Sequence, residues 1–181
     1  MDASGKSTQA LQLSTFLFKK RKTVCLRSHP SDDNFFGLKT KQFLYCNGKS
    51  AHFASAFFYM ADVMRSILLY IWQKYDYLIF VRYLMGAAYL PSPLHSIAYR
   101  FFALVVPKPD AMFFLDILPD EAHRRIVDAR KDHEVFEQIT ELKKVRAKGL
   151  SLALTDNWTI IRADRPIAEV AIDLRRILAV S

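Results

Sequence analysis

Apolar positions along the chain recur with two periods. From Lys6 onward, Ala10, Leu11, Leu13, Phe16 and Leu17 follow helical spacing, and the stretch ends in Lys19, Lys20, Arg21 and Lys22, which suit the negative end of a helix dipole. Thr23 to Arg27 reads as a short buried strand, and Ser28-His29-Pro30-Ser31-Asp32-Asp33-Asn34 as a turn set by Pro30 and closed by Asp and Asn. A helix over about Leu38–Tyr45, the Asn47-Gly48 turn and a long apolar helix over about His52–Lys74 come next. Tyr77 to Val81 is a continuous apolar run of strand length, as expected of a parallel strand covered on both faces. Pro91-Ser92-Pro93 precedes another apolar helix through Val106, which Pro107 and Pro109 stop.

The second half repeats the alternation. Ala111 to Leu115 is a buried strand ending at Asp116, and Pro119-Asp120-Glu121 opens a helix with proline in its first turn and acids at the positive dipole end. A long helix over about Glu134–Leu154, a strand over Thr159–Arg162 and a terminal helix from Pro166 to Leu178 complete the pattern. Strands alternating with helices predict an α/β fold, a parallel sheet flanked by helices on both sides, with residues 1–181 forming one domain. Ligands of such sheets bind beyond the carboxyl ends of the strands. The chain start, His29 to Asp33, Arg82-Tyr83 and Asp116 are all assigned to that edge.

Composition narrows the partners. The 181 residues are 51% hydrophobic and carry a formal charge of +8, which fits a core-forming domain with an anionic ligand. No basic run interleaved with aromatics and no zinc-finger or RNA-recognition signature is present, so nucleic acid is disfavoured. Two cysteines, Cys25 and Cys46, cannot build a disulfide framework, and a reducing cytoplasmic setting is the expectation. Phe53 to Trp72 has the length of a membrane span, but Asp62 and Arg65 near its middle favour a buried or interface helix.

The chemistry concentrates at the start. Gly5-Lys6-Ser7 is the closing half of the phosphate-cradling pattern G-x-x-x-x-G-K-[ST], which sits between a strand and a helix. Its first glycine, and the strand leading into it, are expected upstream of Met1. Glycine lets the backbone approach a polyphosphate, a helix start offers N–H groups and the favourable dipole end, lysine adds a point charge, and the Ser7 hydroxyl suits Mg2+. A helix start capped by Ser4 or Ser7 is the alternative for the same residues.

Several further segments support a wider resemblance. Asp2 to Gln9 resembles G-x-D-x-[AS]-G-K-S-T-Q, and Tyr77 to Tyr83 resembles an apolar strand followed by D-R-[YH]. Pro109-Asp110, Leu115-Asp116, Pro119 and Arg125-Ile126 follow P-D-x-x-x-x-L-D-x-x-P-x-x-x-x-x-R-I; Phe136-Glu137 with Val145-Arg146 and the tail Arg165-Pro166-Ile167 with Glu169-Val170 continue the order. In this order and spacing the chain resembles the thymidylate kinases, P-loop enzymes that move the outer phosphate of ATP to dTMP. The resemblance implies a three-layer P-loop kinase fold whose first, central strand is missing from the chain as given, with a lid at about 120–135. It implies ATP and Mg2+ on Ser4, Gly5, Lys6, Ser7 and Thr8, with Ser7 as the metal ligand. Asp2 would lie near the sugar of the monophosphate, Arg82 with Tyr83 at the acceptor phosphate, and Tyr59 would stack on the base. Among the lid residues Arg124, Arg125, Arg130 and Lys131, one or two are candidates for the transferring group, Arg130 foremost.

Each assignment has a plainer alternative. Arg82 at a strand end can bind a carbonyl or an acid, Tyr59 can be core, the lid bases alternate with Asp128, Asp132 and Glu134 as on a solvated helix face, and His29 near Asp32 and Asp33 reads as a turn before it reads as a metal cluster. Three departures from the family pattern matter. Val81 replaces the acid before the arginine, Val63 replaces an arginine that reads the thymine edge, and the R-E-P turn becomes Arg27-Ser28-His29-Pro30. A catalytically impaired nucleotide-binding relative that acts through partners, or a kinase for dUMP or UMP, is therefore the alternative to a dTMP kinase. The surplus of apolar residues on the 52–74 helix predicts a homodimer through it.

Overall fold

The computed structural model describes residues 3–44, 46, 49–86, 94–129 and 136–179. The chain divides into two compact units, one made of residues 1–13 with 109–181 and the other of residues 14–108. Helix α1, Lys6–Lys19, begins in the first and ends in the second.

In the first unit, β3 (Met112–Asp116) and β4 (Trp158–Arg162) pair in parallel, Met112 opposite Trp158 and Asp116 opposite Arg162. Helices α5 (Pro119–Ala129), α6 (Phe136–Thr155) and α7 (Ile167–Ile177) surround them. Leu115, Ile117, Ala122, Leu142, Ile161, Val170 and Leu174 form one buried cluster, because the apolar stripe of each helix meets the strand faces. The close approach of α6 to β3 requires glycine: a Cβ at Gly149 would lie 2.8 Å from the Phe114 ring.

In the second unit, β1 (Val24–Ser28) and β2 (Tyr77–Val81) pair in parallel, Val24 opposite Tyr77 and Ser28 opposite Val81. Asp76 fastens the entry to this ladder by accepting hydrogen bonds from the Thr23 N–H and hydroxyl, each 2.8 Å. Helix α2 (Phe35–Leu44) packs on α3 (Lys49–Tyr70), and α4 (Leu94–Val105) follows β2. The buried face of α3 carries Ser55, Tyr59, Asp62, Val63, Ser66 and Ile67, positions at helical spacing that include three hydroxyls and a carboxylate. Its outer side exposes Phe53, Phe57 and Leu68, and the segment Phe53–Tyr70 has the length and hydropathy of a membrane span.

The strands thus form two separate two-stranded parallel ladders among the described residues. Helix α2 begins three residues before the expected Leu38, because Asn34 caps it: its Oδ1 accepts from Gly37 N at 3.0 Å, and its carbonyl accepts from Leu38 N. Helix α3 ends at Tyr70 and not at Lys74, where the Gln73 side-chain amide donates to the Leu69 carbonyl at 2.8 Å. The Asn47-Gly48 turn, the Pro91-Ser92-Pro93 break and the expected start of α6 at Glu134 lie outside the described residues.

Candidate active site

Gly5-Lys6-Ser7 runs from a turn directly into α1. Gly5 adopts φ +80°, and a Cβ there would meet nothing within 4 Å, so the left-handed backbone is what calls for glycine. Ala3 shares that left-handed region at φ 55°. Gln9 N donates to the Gly5 carbonyl at 2.9 Å, which starts α1 immediately after the turn and aims its first N–H groups back at the loop. Ser4 is buried and accepts a 3.1 Å hydrogen bond from the Lys6 ammonium, while Ser7 and Thr8 are exposed. Buried Gln9 ties α1 to the tail, donating from Nε2 to the Ile167 carbonyl at 2.8 Å.

A cavity of about 730 Å³ opens beside this turn, lined by Gly5 and Thr8 from the loop, Arg124 and Arg125 from α5, and Arg165 and Ile167 from the tail. Its walls carry three arginines against the carboxylates of Glu121 and Asp164, an excess of one positive charge that favours an anion. Glu121 orders two of those arginines. It accepts from Arg124 Nε and Nη2 at 2.9 Å each and from Arg125 Nε at 2.8 Å, and these hydrogen bonds, Arg124's first, hold its carboxyl below the usual range. Arg125 Nη1 in turn reaches the Ala3 carbonyl at 3.5 Å. From sequence, Glu121 reads only as an acid at a helix start; its i+3 and i+4 arginines were the signal of its second task.

Asp116, at the end of β3, accepts a two-pronged grip from Arg146 of α6, Nε and Nη2 both at 2.7 Å. This is the geometry in which guanidinium and carboxylate are most strongly joined. Among the lid candidates, Arg124 and Arg125 belong to the cavity wall, whereas Arg130 and Lys131 lie outside the described residues, as does Asp2.

Three acceptor candidates, Tyr59, Arg82 and Tyr83, belong to the second unit. Arg82 follows β2 with φ 61°, a left-handed backbone that costs a side-chain-bearing residue roughly 1–2 kcal/mol. The carbonyls of both its neighbours are held: Val81 O accepts from His29 N at 3.1 Å, and Tyr83 O from the Tyr59 hydroxyl at 3.2 Å. Tyr59 is buried, and a Cβ at Gly86 would fall 2.3 Å from its ring. Tyr83 is also buried, its hydroxyl donating to the Pro107 carbonyl at 3.1 Å, and burial pushes that hydroxyl up to about 12.

His29 does not join Asp32 and Asp33. Those acids pair outward, Asp32 with Lys41, and Asp33 with both prongs of Arg27 at 2.7 and 2.9 Å. His29 turns inward, fully buried, stacks on Phe80 with centroids 5.6 Å apart, and meets the Asp62 carboxylate through Nδ1 at 2.9 Å. Asp62 also accepts from Ser31 N and Asn34 Nδ2, both at 2.7 Å. Burial raises the Asp62 carboxyl, but the donors from His29, Asn34 and Ser31 together outweigh it and leave it below the usual range. Among the described residues, no three His, Cys, Asp or Glu side chains gather as a metal cluster.

A family model described as thymidylate kinase matches residues 1–174. The chain belongs to the thymidylate kinase family. It is 40% identical over 74 residues to a probable thymidylate kinase of Pyrobaculum calidifontis, a match covering 41% of this chain and 38% of that protein. With a probable thymidylate kinase of Pyrobaculum aerophilum it shares 34% identity over 79 residues, 44% of this chain and 41% of the relative. The chain thus spans about two fifths of the length of the relatives it matches. Val81, at the end of β2, and Val63, on the inner face of α3, are both buried.

Proposed function

We propose that this protein is a nucleoside monophosphate kinase that transfers the outer phosphate of ATP to dTMP, with residues 1–181 acting as one kinase domain. The observation that carries the reading is the Gly5-Lys6-Ser7 turn at the start of α1, opening on an arginine-lined cavity in a chain of this family. In this reading the cavity takes ATP, with Ser4, Gly5, Lys6 and Thr8 at its phosphates and Asp2 near the acceptor sugar. Arg82 grips the acceptor phosphate beside Tyr83, Tyr59 stacks on the base, and Arg130 stabilises the moving group. A phosphate oxygen of dTMP attacks the outer phosphorus, the bond to ADP breaks, and ADP leaves; no protein nucleophile is required.

The exposed Ser7 hydroxyl is a hard oxygen donor that fits Mg2+, an ion that takes oxygen ligands and keeps several waters. A Mg2+ ion held by Ser7 would supply positive charge to offset that of the outer phosphates. The chain's own contribution is to hold those phosphates with amides and one ammonium group.

A second reading is favoured by Val81: a relative that binds nucleotide without turnover and acts through partners. A coupled ADP-release assay with dTMP, dUMP, UMP and CMP separates the two. The kinase reading expects turnover with dTMP that falls at least a hundredfold in Lys6→Ala. ATP binding with no turnover of any acceptor would leave only the second reading. The outward Phe53, Phe57 and Leu68 of α3 support a homodimer of a cytoplasmic enzyme; a monomeric mass in light scattering would remove that part.

A further inference from the structure

We propose that His29, held by Asp62, is a positioning residue that sets the backbone of Arg82 and hence the acceptor side of the site; the inference rests on the acceptor role proposed for Arg82. Four observations within one unit carry it. Asp62 gathers three donors from the loop between β1 and α2, His29 Nδ1, Ser31 N and Asn34 Nδ2, so one carboxylate fixes that loop on α3. The main-chain N–H of the same His29 holds the Val81 carbonyl, the peptide group that leads into Arg82. Helix α3, which carries Asp62, also carries Tyr59, whose hydroxyl holds the carbonyl of Tyr83 on the other side of Arg82. A ring chain closes the circuit: His29 stacks on Phe80, Phe80 stacks on Tyr83 at 5.0 Å, and Tyr59 meets the His29 ring edge-on at 6.4 Å.

A packing role alone leaves part of this arrangement unexplained. The carboxylate fixes the imidazole with its proton on Nδ1, and Nε2 is then left buried without a hydrogen-bond partner. Phenylalanine would fill the same slot with no orphaned atom. What phenylalanine cannot supply is the bond to Asp62 that anchors the backbone N–H against Val81. Arg82 stands in a conformation that few side-chain-bearing residues adopt, and such a conformation persists only where its surroundings over-determine it. The His29–Asp62 bond is the polar link from α3 on the Val81 side of Arg82, as the Tyr59 hydroxyl is on the Tyr83 side.

The test measures dTMP and ATP binding by titration calorimetry on the full-length protein, with thermal melts as the check of folding. His29→Phe is expected to fold, to weaken dTMP binding about tenfold and to change ATP binding less than twofold. His29→Asn, whose amide nitrogen takes the place of Nδ1, recovers most of that loss. Because the effect runs through Arg82, His29→Phe added to Arg82→Lys weakens dTMP binding by less than threefold beyond Arg82→Lys alone. Unchanged dTMP binding in His29→Phe, no recovery in His29→Asn, or full additivity with Arg82→Lys would each overturn the positioning role while leaving the kinase reading intact. A wild-type protein that binds no nucleoside monophosphate overturns the kinase reading, and this inference with it.

Discussion

Gly37→Ala sets two effects of known sign against each other. Replacing a helical glycine by alanine ordinarily stabilises by about 0.5–1 kcal/mol, since the unfolded chain loses freedom and the helix gains a better former. At position 37 the new Cβ would lie 2.0 Å from the Ser31 carbonyl oxygen and 2.7 Å from its carbon and nitrogen. Carbon and oxygen need about 3.3 Å, so the two segments must part by roughly 1 Å. The obstacle is main chain, and no rotamer change relieves it.

Parting them breaks specific bonds. Ser31 N donates to Asp62 at 2.7 Å, and Gly37 N donates to Asn34 Oδ1 at 3.0 Å; stretching either by about 1 Å ends it as a hydrogen bond. Losing a bond to a buried charged group costs about 1.5–3 kcal/mol, and overpacking adds about 1–3 kcal/mol. With partial relaxation and the helix gain subtracted, Gly37→Ala is expected to destabilise by about 2–4 kcal/mol, a fall in Tm of about 5–15 °C for a chain of this size. Urea unfolding at pH 7 reads the first quantity and calorimetry the second. A variant as stable as the wild type would refute the reasoning, because helix propensity would then outweigh the contact.

Three further outcomes are expected. Arg146→Met leaves the Asp116 carboxylate without its two-pronged partner and should cost about 1.5–3 kcal/mol in urea unfolding, of which Asp116→Asn in the same chain restores part; a cost under about 0.5 kcal/mol would show the pair to be solvent-screened. Asp62 titrates below its ordinary 3.8 when folded, so its stabilisation is whole above that value and is lost as pH falls toward about 2; the deficit of Asp62→Asn at pH 7 should therefore shrink below about pH 4. Asp33 is likewise lowered, chiefly by the hydrogen bonds from Arg27, so its stabilisation too is lost on acidification and some acid dependence should survive in Asp62→Asn, whereas a deficit constant from pH 7 to pH 2 would count against the Asp62 assignment.

Much of the element order was legible because periodicity is a local signal. Tyr77–Val81 is observed with the expected bounds, and the remaining strands lie within one residue at either end, since each is a short apolar run between turn residues. The beginning of α2 was hidden because Gly37 in its first turn looks like a breaker, although it marks the close approach to Ser31. What sequence could not reveal is pairing at a distance. Asp62 reads as a charge that interrupts an apolar helix, and its meaning depends on His29, thirty-three positions away. His29 is drawn on paper toward the acids beside it, yet Lys41 and Arg27 hold those acids at the surface and the imidazole goes inside.

The same pairing bears on the acid that the sequence resemblance leads one to expect where Val81 stands. Asp32, Asp33 and Asp116 are the described carboxylates best placed in sequence to replace it, and each is already joined to a cation: Lys41, Arg27 and Arg146 respectively. A carboxylate gripped by a guanidinium, as Asp33 and Asp116 are, contributes little net field and has fewer lone pairs left for a metal shell. Freeing Asp116 would also strand a partly buried Arg146. Val81 itself is buried, with its carbonyl committed to His29, so that end of β2 offers backbone geometry and no charge of its own. Turnover by this chain would then rest on what it does present: the Ser7 hydroxyl, the amides and ammonium of the loop, and an arginine whose strained backbone is held from both sides. In the proposed phosphoryl transfer, where positioning and charge supply nearly all of the catalysis, that distribution would put the functional weight on Arg82 and the residues that brace it.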